Sequence, residues 1–407
     1  MEKLGRLENK ENRVSENDCG NSSFSVAERL LLNKELPHDI ASLVEKETTI
    51  PVNIDIDLNA RLKITDACGM TCVFCHNEGT PVAVAYNGDL LQPNKDYQGG
   101  RVSVFENTNK VDFLPGAMHP DREFIRILYL LSEHLGIEEL HFTGGEPTLH
   151  AELPELIELA SSLGFSVKMT SNGENSSVIR ECASAGLKKI NFSIFGTTPE
   201  ELASVQHERY RDVTAAEKKI QSLHDSISEA LKSGIEVDSN IVMSDYSHYD
   251  RIERIINEYD DRVSVRVLND LSKGDEFYFA IYKTLAKLGA HPEQLKIEAG
   301  TSNSRVKYRL PNGRPIYFKQ IRRTSLPKIC DSCEFNNDVD CKEGYYGIRV
   351  YSDINEKYKV GVCLQRMDLT MNINDFIKSG VSDDINELRL SEMRALNDHY
   401  ANRLNSN

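Results

Sequence analysis

The chain has 407 residues, 40 % of them hydrophobic, and a formal net charge of −15 at pH 7. That length suits two or three domains around a sizeable core, and the acidic balance argues against nucleic acid as the main partner, since phosphate backbones need a basic face. The longest apolar runs, such as 125–131, are far too short to span a bilayer, and residues 1–5 carry no apolar signal core, so a cytoplasmic protein with no membrane partner is expected.

Residues 1–22 are polar, rich in Glu, Asn and Ser, and are expected to be disordered. Within 24–47, Val26, Leu30 and Leu31, then Ile40, Leu43 and Val44, fall at helical spacing. One or two short helices are predicted there, and 1–50 is read as an N-terminal extension. From residue 60 the pattern becomes strand, loop, helix, repeated. Strands are predicted at Arg61–Thr65, Glu139–Thr143, Ser166–Thr170, Lys189–Ile194, Glu236–Met243 and Val263–Leu268. Helices are predicted at 121–135, 152–163, 175–185, 213–233 and 248–258. Such alternation implies βαβ units and a parallel sheet. An α/β fold is therefore expected over 51–270, as a partial (β/α)6 barrel or an open sheet, with the site at the C-terminal ends of the strands. Residues 76–120 break the rhythm, being rich in Gly, Pro and Asn without periodicity, and read equally as a substrate-covering lid or an incidental insertion. Beyond 270 come a helix at 275–288, short strands at 304–310 and 315–321, and a hairpin of 346–351 and 357–362 across Ser352–Glu356. A polar helical tail at 383–404 completes a small C-terminal domain, 271–407.

Seven of the nine cysteines fall into two groups. Clustered cysteines in a reducing compartment point to metal or chemistry rather than to disulfides. Cys68, Cys72 and Cys75 follow the first predicted strand directly, and thiolates so spaced can converge on one soft metal centre, as in iron–sulfur clusters. A four-iron cube usually takes four Cys ligands, so three leave one iron for a small molecule. Cys330, Cys333, Cys341 and Cys363 form the second group, and four thiolates on one cube would leave no iron open. Structural zinc is the alternative at both places. Cys19 and Cys182 stand alone and read as a tail thiol and a buried small hydrophobe.

The motif Cys68-x3-Cys72-x2-Cys75 with the aromatic Phe74, followed by Thr143-Gly144-Gly145-Glu146-Pro147 at the end of the second strand, resembles the radical S-adenosylmethionine (SAM) enzymes. The resemblance covers about residues 60–270 and resumes at 305–365. It implies a partial barrel of the radical SAM type, with a [4Fe–4S] cluster on Cys68, Cys72 and Cys75. It further implies that SAM chelates the unique iron and is cleaved reductively to methionine and a 5′-deoxyadenosyl radical, which takes a hydrogen atom from substrate. The Gly-Gly-Glu-Pro turn would hold the methionine amino group, because glycines let the backbone approach a ligand and a carboxylate accepts hydrogen bonds from an ammonium. Phe74, Gly144, Gly145, Glu146, Asn172 and Ser193 become cofactor-binding positions. A small-molecule or peptide substrate and an electron donor such as flavodoxin or ferredoxin are implied as partners.

Within that superfamily the pattern is similar to the molybdenum-cofactor GTP 3′,8-cyclase family at Arg61–Asp66, at Tyr308–Arg314 leading to Cys330 and Cys333, and at Gly347–Val350 followed by Val362-Cys363-Leu364. That family carries a second cluster on three C-terminal cysteines, with an iron open to substrate. This chain departs from it at four places. His141 stands where the family has Arg before the turn, and Asp238 where it has a substrate-contacting Lys. The Gly-Gly tail is absent, the chain ending at Leu404–Asn407. An insertion carrying Cys341 stretches the family's Arg pair and leaves Arg349 matched. Two of these changes remove positive charge where a triphosphate would sit, each lost contact typically costing ~1.5–3 kcal/mol. The expected protein is a radical SAM enzyme acting on a small metabolite or peptide, with a closed auxiliary cluster on Cys330, Cys333, Cys341 and Cys363. GTP 3′,8-cyclase is one alternative; a structural or regulatory zinc-binding protein is the other. Arg61 and Arg349 are substrate candidates, Arg61 alternatively pairing with Asp66. Arg266 reads as an anion contact or a salt-bridge partner. His76 and Glu78 would touch SAM or substrate, or shape the turn after the cluster loop. Tyr345 and Tyr346 would pack around the second cluster.

Overall fold

Strands β2 (Asn59–Thr65), β3 (Glu139–Gly144), β4 (Ser166–Ser171), β5 (Leu187–Ser193), β6 (Glu236–Met243) and β7 (Val263–Asn269) lie side by side, parallel and in chain order. All six strands expected from the alternating pattern are there. The computed structural model describes residues 25–33, 36–72, 75, 116–270, 276–337, 340–341, 343–353, 355 and 357–405. Among them, no helix is long and apolar enough to cross a membrane.

A parallel sheet covered on both faces by helices reads as unbroken apolar runs. These strands alternate instead, and the structure gives the reason. Leu62 and Ile64, Leu140 and Phe142, Val167 and Met169, Ile190 and Phe192 belong to the apolar core. So do Phe124, Ile127, Leu128 and Leu131 on the helix Arg122–Leu135. The intervening Arg61, His141, Lys168 and Lys189 stand directly opposite one another across β2 to β5 and line one large cavity. One face of the sheet is thus core and the other is site.

The helix Arg122–Leu135 starts at Asp121, whose carboxylate accepts the Phe124 N–H at 2.9 Å, and stops at Gly136 with φ 61°. Both signals are local, as a cap and a left-handed terminator should be.

The C-terminal third extends both edges of the same sheet. Strands β8 (His291–Ala299), β9 (Asn303–Arg309) and β10 (Pro315–Ile321) join beyond β7. On the far side β11 (Ile348–Ser352), β12 (Tyr358–Gly361) and β13 (Met371–Asn372) join beyond β2. β1 (Val52–Ile56) pairs with β8 and completes a sheet of thirteen strands among the described residues. β1 and β8 have no counterpart among the predicted strands. β8 contains Pro292, Glu293 and Gln294, residues poor in strand propensity, and its neighbours β1 and β9 hold it extended.

Candidate active site

β2 ends at Thr65, and the chain runs over the β3 terminus into Cys68. Gly145 N–H donates to Thr65 O at 2.8 Å and Glu146 N–H to Ala67 O at 2.6 Å. A Cβ on Gly144, which has φ 139°, would meet Thr65 O at 2.3 Å, and one on Gly145 would meet Ala67 O at 2.2 Å. The glycines are therefore demanded by the cysteine loop itself crossing the turn, and not only by a ligand as the sequence suggested.

Glu146 is 1 % exposed. One carboxylate oxygen accepts Thr148 N–H at 3.0 Å, Thr148 Oγ1–H at 2.7 Å and Ser171 Oγ–H at 2.6 Å; the other accepts Asn172 N–H at 2.6 Å. Burial raises its pKa, and these four donors oppose the rise. The carboxylate buckles the ends of β3 and β4 together beside the cysteines.

The loop is held by residues that sequence reasoning missed. Glu174 accepts Gly69 N–H at 3.0 Å, and Lys219 bridges Glu174 at 2.9 Å and Gly69 O at 2.8 Å. Across the loop, Gln206 Oε1 accepts Thr71 N–H at 2.8 Å while its Nε2 lies 3.5 Å from Cys72 Sγ. Asn172 Nδ2 lies 3.8 Å from Cys68 Sγ, and the Met70 N–H reaches the same sulfur at 3.4 Å. Burial pushes the Cys68 thiol up to about 12 and raises Cys72 further. Thiols so placed lose their protons to a metal centre, not to water.

Cys68, Cys72 and Cys75 share a cavity of about 890 Å³ with Gly144, Gly145, Glu146, Asn172 and Ser193. Three thiols at one end, amide donors on two of them, and adjacent glycines and polar side chains fit the cluster and small-molecule cofactor expected there. Among the described residues, no three His, Cys, Asp or Glu side chains are grouped closely enough to hold a single metal ion. Phe74 lies outside the described residues, as do His76, Glu78 and most of the 76–120 insertion. The chain re-enters at Gly116, whose N–H donates to Asp66 at 2.7 Å.

The charged candidates sort clearly. Asp66 pairs with the buried Lys63 at 2.6 Å. Arg61 instead lies 4.7 Å from the centre of the Tyr346 ring and lines the cavity. Arg266 also lines the cavity but is tied to Asp238 at 3.3 Å and Asn191 at 3.1 Å. Asp238 takes Lys189 as well, at 2.8 Å. His141 accepts or donates a 2.8 Å hydrogen bond with Thr170 Oγ1, and its pKa falls well below the ordinary value, through burial first and then the nearby Lys168, Arg61, Arg266 and Lys319. It is a neutral imidazole at physiological pH. Arg349 is 1 % exposed and held by Glu343 at 3.2 Å, behind Tyr346.

Cys330, Cys333, Cys341 and Cys363 converge on a second, small cavity, lined also by Leu326, Ile329, Phe335 and Tyr345. Burial pushes Cys330 up to about 12 and Cys363 up to about 11. Arg366 NH1 lies 3.6 Å from Cys333 Sγ. Four thiols in apolar surroundings are of the type that holds a cube, but no three of them are grouped closely enough to hold a single metal ion such as zinc. Tyr345 faces this cavity, while Tyr346, its neighbour in the chain, faces the large one.

The family description "Radical SAM superfamily" matches residues 62–259. The chain is 24 % identical over 342 residues to a "Probable GTP 3′,8-cyclase" of Sulfolobus acidocaldarius, covering 82 % of this chain and 89 % of that one. A protein of the same name from Aeropyrum pernix is 22 % identical over 285 residues, covering 67 % and 68 %. Among solved structures, SuiB of Streptococcus suis superposes with a TM-score of 0.44 at 15 % identity, covering 84 % of this chain and 68 % of that one.

Proposed function

The chain is an enzyme of the radical SAM superfamily, and from that premise we propose that it abstracts a hydrogen atom from a small metabolite or peptide held in the large cavity. The observation that carries this reading is the shared lining: the three cysteines, the Gly144-Gly145 turn, Asn172 and Ser193 face one space with room for both a cofactor and a substrate. When bound, a [4Fe–4S] cluster supplies the electron that breaks a carbon–sulfur bond of SAM.

The chain's own residues prepare that event. Cys68, Cys72 and Cys75 would hold the cluster, and Gln206 and Asn172 direct N–H groups towards two of their sulfurs. Glu146 fixes the turn, leaving Gly144 and Gly145 as the close approach for the methionine end of SAM. The apolar wall behind β2 to β5 keeps water from one side of the space. Phe74 would complete the cofactor site. Cys330, Cys333, Cys341 and Cys363 would hold an auxiliary cluster closed by four thiolates, and a flavodoxin- or ferredoxin-type protein would supply electrons.

A second reading, GTP 3′,8-cyclase, is favoured by the name of the archaeal relatives and their coverage of most of this chain. Against it stand neutral His141 and an Asp238 that takes up the charges of Lys189 and Arg266. Reconstituted protein given SAM, a reductant and GTP separates the two. Deoxyadenosine formed slowly and without a pterin-type product is expected; stoichiometric pterin formation would assign the cyclase.

A further inference from the structure

We propose that an anionic group of the substrate, a phosphate or a carboxylate, docks on a basic row made by Lys296, Arg305 and Lys319 on strands β8, β9 and β10. This rests on the large cavity being the substrate site and adds to it where, and by what charge, the substrate is gripped.

Lys296 stands directly opposite Arg305 on the neighbouring strand, and Arg305 directly opposite Lys319 on the next. Opposed residues share a face with Cβ atoms about 4.5–5.5 Å apart, and like charges so placed destabilise a sheet. Three in a row is a costly arrangement for a structural purpose. All three are half-buried and line the cavity.

Their compensation is incomplete. Lys296 pairs with Asp55 at 2.7 Å. Lys319 lies 4.1 Å from the centre of the Tyr346 ring, which Arg61 approaches at 4.7 Å. Among the described residues Arg305 has no carboxylate within ion-pair distance. On β4, β5 and β7 the cations are matched from within: Lys168 by Glu139, Lys189 by Glu236 and Asp238, and Arg266 by Asp238. Arg305 and Lys319 therefore stand in the cavity without a carboxylate partner among the described residues, and a concave wall focuses their charge. A guanidinium fork flanked by two ammonium groups suits an oxyanion with several acceptor oxygens.

The test uses the full-length reconstituted enzyme, with inorganic pyrophosphate as the phosphate probe and tricarballylate as the carboxylate probe, at ionic strength matched with chloride. One probe should bind by calorimetry and raise Tm, and which one does so identifies the anion. Arg305→Gln and Lys319→Gln should each weaken that binding about ten- to a hundredfold. Without the probe, Arg305→Gln should be at least as stable as the parent, because the row's repulsion is relieved. No binding of either probe above the chloride control, or unchanged binding in both variants, would overturn the proposal; so would an Arg305→Gln protein that is less stable yet binds equally well. Cys72→Ala should bind the probe normally while losing SAM cleavage, so failure of the anion site and failure of the radical reading are read separately.

Discussion

Gln206 holds Thr71 through its Oε1 and points its Nε2 at Cys72 Sγ. An N–H aimed at a ligating sulfur stabilises the more reduced, more negative cluster. Gln206→Leu is expected to retain iron, lower the cluster's reduction potential and slow SAM cleavage about ten- to a hundredfold. A redox titration showing an unchanged potential would mean that the side chain only packs. The cysteines themselves were legible because their spacing is local. Gln206 and Glu174 were not, since their contacts to the loop span 134 and 105 residues and no nearby pattern announces them. Arg61, read from the sequence as a substrate contact or a partner of Asp66, lines the cavity beside Tyr346, while Asp66 pairs with Lys63. Arg349, proposed for substrate on sequence grounds, is buried with Glu343.

At the scale of elements, the turn after β3 depends on two missing side chains. Gly145→Ala would drive a methyl group into Ala67 O and is expected to displace the cysteine loop. The strain is of order 1–3 kcal/mol, so the fold should persist by circular dichroism while iron binding falls sharply; full iron content would contradict the geometry. A second element-scale prediction concerns the helix His38–Glu47, which docks by burying Glu47 against Tyr282, Tyr308 and Gln320. Burial pushes Glu47 up to about 7 from an ordinary 4.5. The native state then keeps a proton that the unfolded chain has released, so this contribution is full below pH 4.5 and is lost as pH rises through 7. The loss is of order 3 kcal/mol. Urea melts of parent and Glu47→Gln at pH 5 and pH 8 should show the parent losing more stability than the variant on going to the higher pH; equal losses would contradict the assignment. The six parallel strands were readable because one face must be apolar and the other lines a site. β1 and β8 were not, because tertiary pairing overrides their weak propensity.

Across the whole molecule, a single sheet carries both cysteine groups on one frame. β2 delivers the first group, and the segment preceding β11 separates the two cavities with Tyr345 on one side and Tyr346 on the other. The C-terminal third therefore helps to build the large cavity through β8, β9, β10 and Tyr346, which the periodicity of 60–270 could not reveal. The account rests on reductive SAM cleavage at the first group, and the most direct measurement is deoxyadenosine formation by anaerobically reconstituted protein, parent against Cys72→Ala. The account predicts a brown parent that forms deoxyadenosine from SAM and a variant that forms none. A colourless zinc protein, or cleavage that persists in Cys72→Ala, would contradict it.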